Sequence, residues 1–581
     1  MAEMRSNDAF FMMFPQETMI EPGMLWDGLE IGDPAFELSS SVSCLSDFMC
    51  RRSIVLQYLS SEIRQVMISH TPSLKQRIYE TLMGSTRIED GQMYSHASIF
   101  ELFDFMEPNF SALEKPPGLS YFQDVDLHSC LDIPDETDST SNIDRIEELL
   151  VLRRAELANS RMVESPQDLS VVNQQAEMLL KFFAMDNQIK SIRAARLKVL
   201  RAWVQLMLLL VGSGDFEKTS KTSIMLRTLQ AIMPRLESDL HNVPEATELA
   251  KLANVVIFSL DFDPESFKKG DMGDLVNDRL FHLFHVSLKA INSLGSKTQL
   301  KEIFYNISYR YLTGMSDITS HPGIHRRHSI QTIKSAGERF IDVVCDDAYA
   351  SEPTCRIAAL LLLGALVNMG KHENSKYIIE SLTRLNFITI LVASIQNLAN
   401  DLRDTAVEHV DLQLSYCNAK LALLLQIAQT RFGAATVLNA GLFHAIKESG
   451  LFVIDPDLGV GILSAAILLQ SVLIRLDIEG SDVVSKHYSL LAAIMRVICA
   501  ALLSRGAQNE QSLEQGRRFL TENRLPILAV LKKSAGLVAG VVVSEQIEDL
   551  AESFILLVTF TGFLEFEEKV VPKKSSLTAF T

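Results

Sequence analysis

The sequence predicts an all-α fold, a right-handed-type helical-hairpin solenoid made of stacked helix pairs of the HEAT or armadillo kind. Apolar residues recur at helical spacing from about residue 141 onward. Several predicted helices, such as 357–367 and 490–503, are apolar on nearly every face and therefore need cover on more than one side. A stack supplies that cover, because each helix pair packs between its neighbours.

The composition favours a folded protein that does not bind nucleic acid. Of the 581 residues, 47% are hydrophobic and 22% are charged, which is enough apolar material for a packed interior. The formal net charge of −18 opposes binding to phosphate backbones. The seven cysteines are scattered without a CxxC pair, as is typical of reduced thiols in the cytosol or nucleus.

The pattern divides the chain into three predicted parts. Residues 1–140 form an irregular helical and loop segment that ends in an acidic spacer, 132–138, and its first apolar run is too short for a signal peptide. Residues 141–570 form the solenoid, and residues 571–581 form a flexible tail. Within the solenoid, 458–474 is just short of a membrane span and contains polar residues, so a buried helix is the preferred interpretation.

Local signals justify the first and later solenoid helices. Ser141 to Asp144 resembles a capping box, and the apolar residues that follow it fall on one helical face. An apolar stripe runs from Leu197 to Val211 at spacings of three and four. The segments 382–390 and 438–446 echo each other, and each predicts a small-residue turn followed by a helix.

Motifs that would indicate catalysis, a cofactor or a metal fail on inspection. The segment 212–219 approaches a phosphate-binding loop, but Glu217 replaces the second glycine. The segment 261–272 begins like a calcium loop but lacks its turn glycine and final glutamate. The histidines of 321–328 lie beside two arginines in a predicted Pro/Gly loop, where a bound cation would be repelled. We therefore expect no enzyme activity, no cofactor, no metal site and no small-molecule substrate.

The same segment contains one candidate modification site. Ser329 follows Arg326 and Arg327 at the spacing that basophilic kinases prefer. A phosphate beside two arginines could order the segment. Ser329 is therefore a predicted phosphosite.

Three long strings resemble a known family. They are KLALLLQIAQTRFG at 420–433, LSRGAQNEQSLEQGRRFLTENR at 503–524, and RLKVLRAW at 196–203 followed by LRTLQAIMPRLE at 226–237. Together they resemble the C-terminal part of the largest inner-ring scaffold nucleoporins, the giant α-solenoids of the nuclear pore complex. The similarity is specific over roughly residues 175–570, and members of this family are much longer than this chain.

The resemblance implies a structural role at the nuclear envelope in support of nucleocytoplasmic transport. It implies binding to other nucleoporins, namely the coiled-coil-bearing linker of the inner ring and partly disordered linkers, without a membrane span. It also implies that the C-terminal tail region docks a helical segment of the coiled-coil linker. The alternative with the same fold class is a HEAT-type transport receptor or cytosolic adaptor.

The last predicted helix carries candidate partner-binding residues. Phe560, Phe563 and Phe566 are spaced by three and could line one groove for an amphipathic helix. Large aromatic side chains are frequent hot spots of such interfaces. The opposing interpretation, that all three are ordinary core anchors, stays open at this point.

Overall fold

The computed structural model describes residues 40–66, parts of 75–122 and, with short gaps, 140–262, 271–317, 322–453, 481–537 and 544–570. The acidic spacer, the segment 458–474 and the tail 571–581 lie outside the described residues. The chain divides into two compact units, Met1–Leu260 and Asp261–Thr581. Nearly all described secondary structure is helical, which confirms the predicted all-α class.

The first unit contains five described helices and one hairpin of two strands. The helices are α1 Ser40–Val66, α2 Ile143–Asn159, α3 Pro166–Gly212, α4 Lys218–Ser238 and α5 Val243–Ser259. Strands β1 Ser85–Glu89 and β2 Gln92–His96 pair antiparallel. The sequence analysis did not predict this hairpin, although Asp90-Gly91 between the strands is a common hairpin signal.

Described parts of the predicted irregular segment dock on the later helices of the same unit. Helix α1 packs along α3. Tyr79 donates a hydrogen bond of 2.9 Å from its hydroxyl to the carbonyl of Ile224 in α4. Phe100 packs edge-to-face against Trp203 with ring centroids 5.3 Å apart. The predicted boundary near residue 140 therefore falls inside the first compact unit.

Helix α2 folds back on α3 and closes a small apolar core. Ile146 and Leu150 are buried there with Val172, as their helical spacing predicts. The cap differs by one residue from the predicted capping box, because the Asn142 side chain, not Ser141, accepts the hydrogen bond from the Arg145 backbone N–H at 3.1 Å. Both residues are good caps, and the backbone conformation selects Asn142.

The second unit is a succession of helices from residue 271 to residue 570. Its helices are α6 Asp271–Ser293, α7 Thr298–Asp317, α8 Pro322–Ala336, α9 Glu338–Ala350, α10 Pro353–His372, α11 Tyr377–Arg384, α12 Phe387–Ala393, α13 Leu398–Asp404, α14 Val410–Ala428, α15 Arg431–Asn439, α16 Leu442–Ser449, α17 Ser481–Arg505, α18 Glu510–Glu522, α19 Arg524–Ser534, α20 Glu545–Thr561 and α21 Phe563–Val570. Short 3₁₀ turns at Ser394–Asn397 and Val407–His409 join the elements around α13.

One series of long helices forms the inside of this stack. Helix α7 packs on α10, α10 on α14, α14 on α17, and α17 on α20. The remaining helices cover these from the outside, for example α6 on α7 and α9 on α10. This arrangement explains why the predicted helices 357–367 and 490–503, which lie in α10 and α17, are apolar on most faces.

The two echoing sequence segments have the same local structure. In the first, α11 ends before Asn386, whose backbone is left-handed with φ of 57°, and α12 follows. In the second, α15 ends before Gly441, which is left-handed with φ of 87°, and α16 follows. The predicted small-residue turn and following helix are therefore present in both.

Two described helices are long and apolar enough to cross a membrane. They are Pro353–His372 and Lys486–Arg505. A bent pair formed by Tyr377–Arg384 and Phe387–Leu402 is also long and apolar enough if it is counted as one span. In the two long helices 61% and 67% of the apolar window is buried against the rest of this chain. Their hydropathy is explained by their position inside the stack.

Candidate partner-binding surface

The last three described helices of the second unit are α19 to α21. Helix α20 packs on α17, α18, α19 and α21. Its core side is a regular helical stripe with spacings of three and four. The buried residues of this stripe are Ile547, Leu550, Ala551, Phe554, Leu557 and Thr561. The opposite side of α20 has no described helix packed against it.

The chain turns between α20 and α21 at Gly562. Its backbone is left-handed, with φ of 59°, and its N–H donates to the Thr559 carbonyl at 3.3 Å. Glycine adopts this conformation without the strain that a Cβ would introduce. Phe560 therefore lies on α20, whereas Phe563 and Phe566 lie on α21, and their spacing of three does not place them on one helical face.

The three predicted phenylalanines differ in exposure. Phe563 is only 7% exposed and belongs to the core. Phe560 and Phe566 are half-buried. The Arg517 guanidinium lies 5.1 Å from the centroid of the Phe566 ring. Of the three side chains, only Phe560 and Phe566 can contact a partner without unpacking the end of the stack.

Large aliphatic side chains are exposed on all three helices. Together with Phe560 and Phe566 they define what we call the C-terminal apolar surface. Its aliphatic members are Leu525 (81% exposed) and Leu528 on α19, Ile555 (55%) and Leu556 on α20, and Leu564 (65%) on α21. An exposed apolar patch on a soluble fold often marks an interaction site. Sequence reasoning missed these five residues. For Ile555 and Leu556 the available signal was that they lie outside the periodic buried stripe of α20.

Polar contacts and close packing fix the geometry of this end of the stack. The Arg517 side chain donates to the Thr561 carbonyl at 2.9 Å, where α20 ends. Arg524 of α19 pairs with Glu567 of α21 at 3.2 Å. A Cβ at Gly516 would lie 3.0 Å from side-chain atoms of Leu502 and Thr561, so α18 sits close against α17 and α20. A surface held this firmly loses little conformational entropy when a partner binds.

Ser329 lies in a helix rather than in the predicted loop. Pro322 begins α8, a position that suits proline because its missing N–H would have no helical partner. Ser329 is 2% exposed, and its hydroxyl lies 3.4 Å from the Tyr311 hydroxyl. Arg326 and Arg327 both pair with Glu373, at 3.3 and 3.2 Å. Phosphorylation of Ser329, which stays a prediction, would therefore require α8 to open.

The described residues contain no group of three or more histidine, cysteine or acidic side chains placed to hold a metal ion. His282 is half-buried and His285 is exposed on α6. The segment that approaches a phosphate-binding loop follows helix α3, as expected, but its residues 213–217 lie outside the described part of the chain. Most of the calcium-like segment, 263–270, does so too.

The buried thiols are poor nucleophiles. Burial raises the pKa of Cys417 and of Cys499 to about 11. Burial and the nearby Asp347 carboxylate raise the pKa of Cys355 to about 12. Since the thiolate is the reactive form, the raised pKa values leave these cysteines mainly as unreactive thiols at neutral pH.

Comparisons with known proteins agree on one family. Residues 1–561 match the family described as "Nuclear pore complex scaffold, nucleoporins 186/192/205". The chain is also 34% identical, over 652 aligned residues, to Nucleoporin NUP192 of Chaetomium thermophilum. That alignment covers 99% of this chain and 36% of the relative, so the chain spans about a third of the relative's length.

Proposed function

The chain belongs to the family of nuclear pore complex scaffold nucleoporins 186/192/205, and from this premise we propose that it is a scaffold component of the inner ring that binds linker nucleoporins. The proposed binding site is the C-terminal apolar surface. The proposed partner at this site is a helical segment of the coiled-coil-bearing linker nucleoporin. Partly disordered linkers would bind elsewhere on the stack.

The observation that carries the proposal is the exposure of Ile555 and Leu556 on the free side of α20. An outer helix face that no described helix covers is usually polar, because a polar face keeps a stack of helices soluble. Here the outer face is apolar instead, and Leu525 and Leu564 extend it onto the two neighbouring helices. An amphipathic helix can cover such a surface with anchors spaced by three and four residues.

The half-buried aromatic rings give the surface its proposed anchor points. Phe560 and Phe566 each keep one part packed and present another part to solvent. Aromatic side chains partly fixed by their surroundings contribute strongly to interfaces because little rotamer entropy is lost. Phe563 supports them from within the core and is not proposed to touch the partner.

The test is a binding titration between the purified chain and synthetic segments of the coiled-coil-bearing linker nucleoporin. The double variant Ile555→Ser/Leu556→Ser removes two exposed anchors. We expect about 3 kcal/mol of lost binding free energy, or roughly a 100-fold higher Kd. The matched control is Leu152→Ser, which removes a leucine of similar exposure from α2 (61% exposed).

Both variants should keep the thermal melt of the wild-type chain, because exposed side chains contribute little to stability. Unchanged linker binding by the double variant would contradict the proposed site. Binding lost equally by the Leu152→Ser control would show that the surface is not specific. Binding of the small GTPase Ran instead of any linker segment would favour the transport-receptor alternative.

A further inference from the structure

A groove of about 790 Å³ opens on the second unit, and its lining residues all come from α9 to α14. It shares no residue with the C-terminal apolar surface. Tyr349 (63% exposed) and Ile390 form exposed apolar parts of its wall. Arg356, Tyr416 and Lys420 supply its cationic and aromatic part. The groove is open and its lining is half polar, which suits an extended segment of chain better than an enclosed small molecule.

The cationic part is built around one tyrosine ring. The Lys420 ammonium lies 4.6 Å from the centroid of the Tyr416 ring, and the Arg356 guanidinium lies 5.6 Å from it. The Tyr416 hydroxyl donates to the Ala348 carbonyl at 3.1 Å, which fixes the ring. Arg356 also donates to the Ser351 carbonyl. The ring thus lies beside both cations, and a backbone carbonyl also holds Arg356.

Lys420 is buried without a neutralising partner. Its side chain lines the groove, yet the residue is only 6% exposed. Among the described residues no carboxylate lies within ion-pair distance of its ammonium group. Burial lowers its pKa, Cys417 and Asp401 oppose this effect, and the nearby Arg356 adds to it. A buried cation in this state gains strongly from an anion that enters the groove.

We propose that this groove binds a short peptide segment of a partner protein, which presents a carboxylate to Lys420 and Arg356 and a bulky apolar side chain to Ile390. The carboxylate would give the Lys420 ammonium an anionic partner. The apolar side chain would cover surface that is now exposed. The proposal does not depend on the C-terminal apolar surface, because the two sites share no residue and are tested with different variants.

The charges of the rim favour a peptide over a phosphate-rich ligand. Asp401 and Asp404 are exposed and line the same groove. They would repel a polyanion such as a nucleotide, and the chain as a whole carries a formal charge of −18. A peptide can place one acidic residue on the buried cations and a basic residue beside the rim carboxylates.

The experiment uses a phage-displayed library of random dodecapeptides, selected on the full chain and counter-selected on Lys420→Met. Selected peptides are then labelled with fluorescein and titrated by anisotropy. We expect them to contain an acidic residue and a large apolar residue. Their Kd should rise roughly tenfold or more for Lys420→Met, since a hydrogen bond to a charged group is lost. The matched control is Lys289→Met, which changes an exposed lysine on α6.

Two further measurements distinguish the loss of a binding site from a folding defect in the variant. Changing the acidic residue of the selected peptide to its amide should weaken binding to the wild-type chain by a similar factor. The variant Tyr349→Ser removes only an exposed side chain and should weaken binding while preserving the helical melt. If no selected peptide discriminates against Lys420→Met, or if the amide peptides bind equally well, the proposal is wrong. Inorganic phosphate that binds with the same dependence on Lys420, in place of any peptide, would also overturn it.

Discussion

A buried ion pair between Lys301 of α7 and Asp347 of α9 offers the sharpest test of how the second unit is held together. The ammonium and the carboxylate are 2.9 Å apart, and the two side chains are only 5% and 13% exposed. The Tyr305 hydroxyl donates to the same carboxylate oxygen. The Ser351 hydroxyl donates to the other oxygen at 2.9 Å. One carboxylate therefore satisfies three donors from α7 and from the end of α9.

The perturbation is Asp347→Ala, which leaves the Lys301 ammonium buried without an anion. Breaking one partner of a buried pair typically lowers the free energy of unfolding by about 3–5 kcal/mol. The second unit has about 320 residues, and unfolding entropy scales with length, so 1 kcal/mol corresponds to roughly 1.5 °C. We therefore expect the Tm of this unit to fall by roughly 5–8 °C.

The assay is thermal unfolding followed by circular dichroism and calorimetry. The matched control is Glu338→Gln, which breaks the pair between Arg384 and Glu338, whose side chains are 58% and 60% exposed. Exposed pairs contribute about 0–1 kcal/mol, so this variant should melt within about 1.5 °C of the wild-type chain.

The double variant Lys301→Met/Asp347→Leu separates the desolvated charge from lost packing. Apolar replacements of a whole buried pair are often neutral. The double variant should therefore recover most of the stability lost in Asp347→Ala. The reasoning is refuted if Asp347→Ala melts like the Glu338→Gln control. It is also refuted if the double variant is as unstable as the single one, because the cost would then not come from an unpaired charge.

Two further predictions concern packing and buried thiols. Gly433→Ala should lower the free energy of unfolding by roughly 3 kcal/mol in chemical denaturation, because the new Cβ would lie 2.2 Å from the Ile427 carbonyl oxygen. Gly364→Ala in α10, where nothing lies within 4 Å, should leave stability unchanged or raise it, and equal losses in both variants would contradict this explanation. Burial raises the pKa of Cys499 from 9.0 to about 11 in the folded chain, so its contribution to stability is complete below pH 9 and is lost as the pH rises toward 11. Between pH 9 and pH 11 the free energy of unfolding of the wild-type chain should therefore fall relative to that of Cys499→Ala. A difference between the two that stays constant over this range would refute the assignment.

The fold class was predictable because helical periodicity and all-round apolar helices together require stacking. The local errors have separate physical causes. The segment 321–328 was interpreted as a loop from its Pro and Gly, yet Pro322 begins α8, because proline is as suitable for a first helical turn as for a loop. The predicted capping residue was Ser141 and the observed one is Asn142, because neighbouring polar residues can cap a helix equally well.

The candidate sites were less predictable than the fold. A spacing of three identifies one helical face only within an unbroken helix, and Gly562 breaks the helix between Phe560 and Phe563. The groove joins Tyr349, Ile390 and Lys420, which lie far apart in sequence, and only the stacking of α9 to α14 brings them together. Long-range proximity of this kind leaves no local sequence signal.

Two buried lysines of the same unit show why the groove calls for a functional explanation. Lys301 is 4% exposed and Lys420 is 6% exposed, so both residues are largely buried, although the Lys420 side chain still lines the groove. Lys301 pairs with the Asp347 carboxylate at 2.9 Å. Lys420 has an aromatic ring at 4.6 Å and no described carboxylate within ion-pair distance. Since a largely buried lysine without a carboxylate contributes less to stability than an apolar residue would, an anion supplied from another chain would give Lys420 the partner that Asp347 gives Lys301.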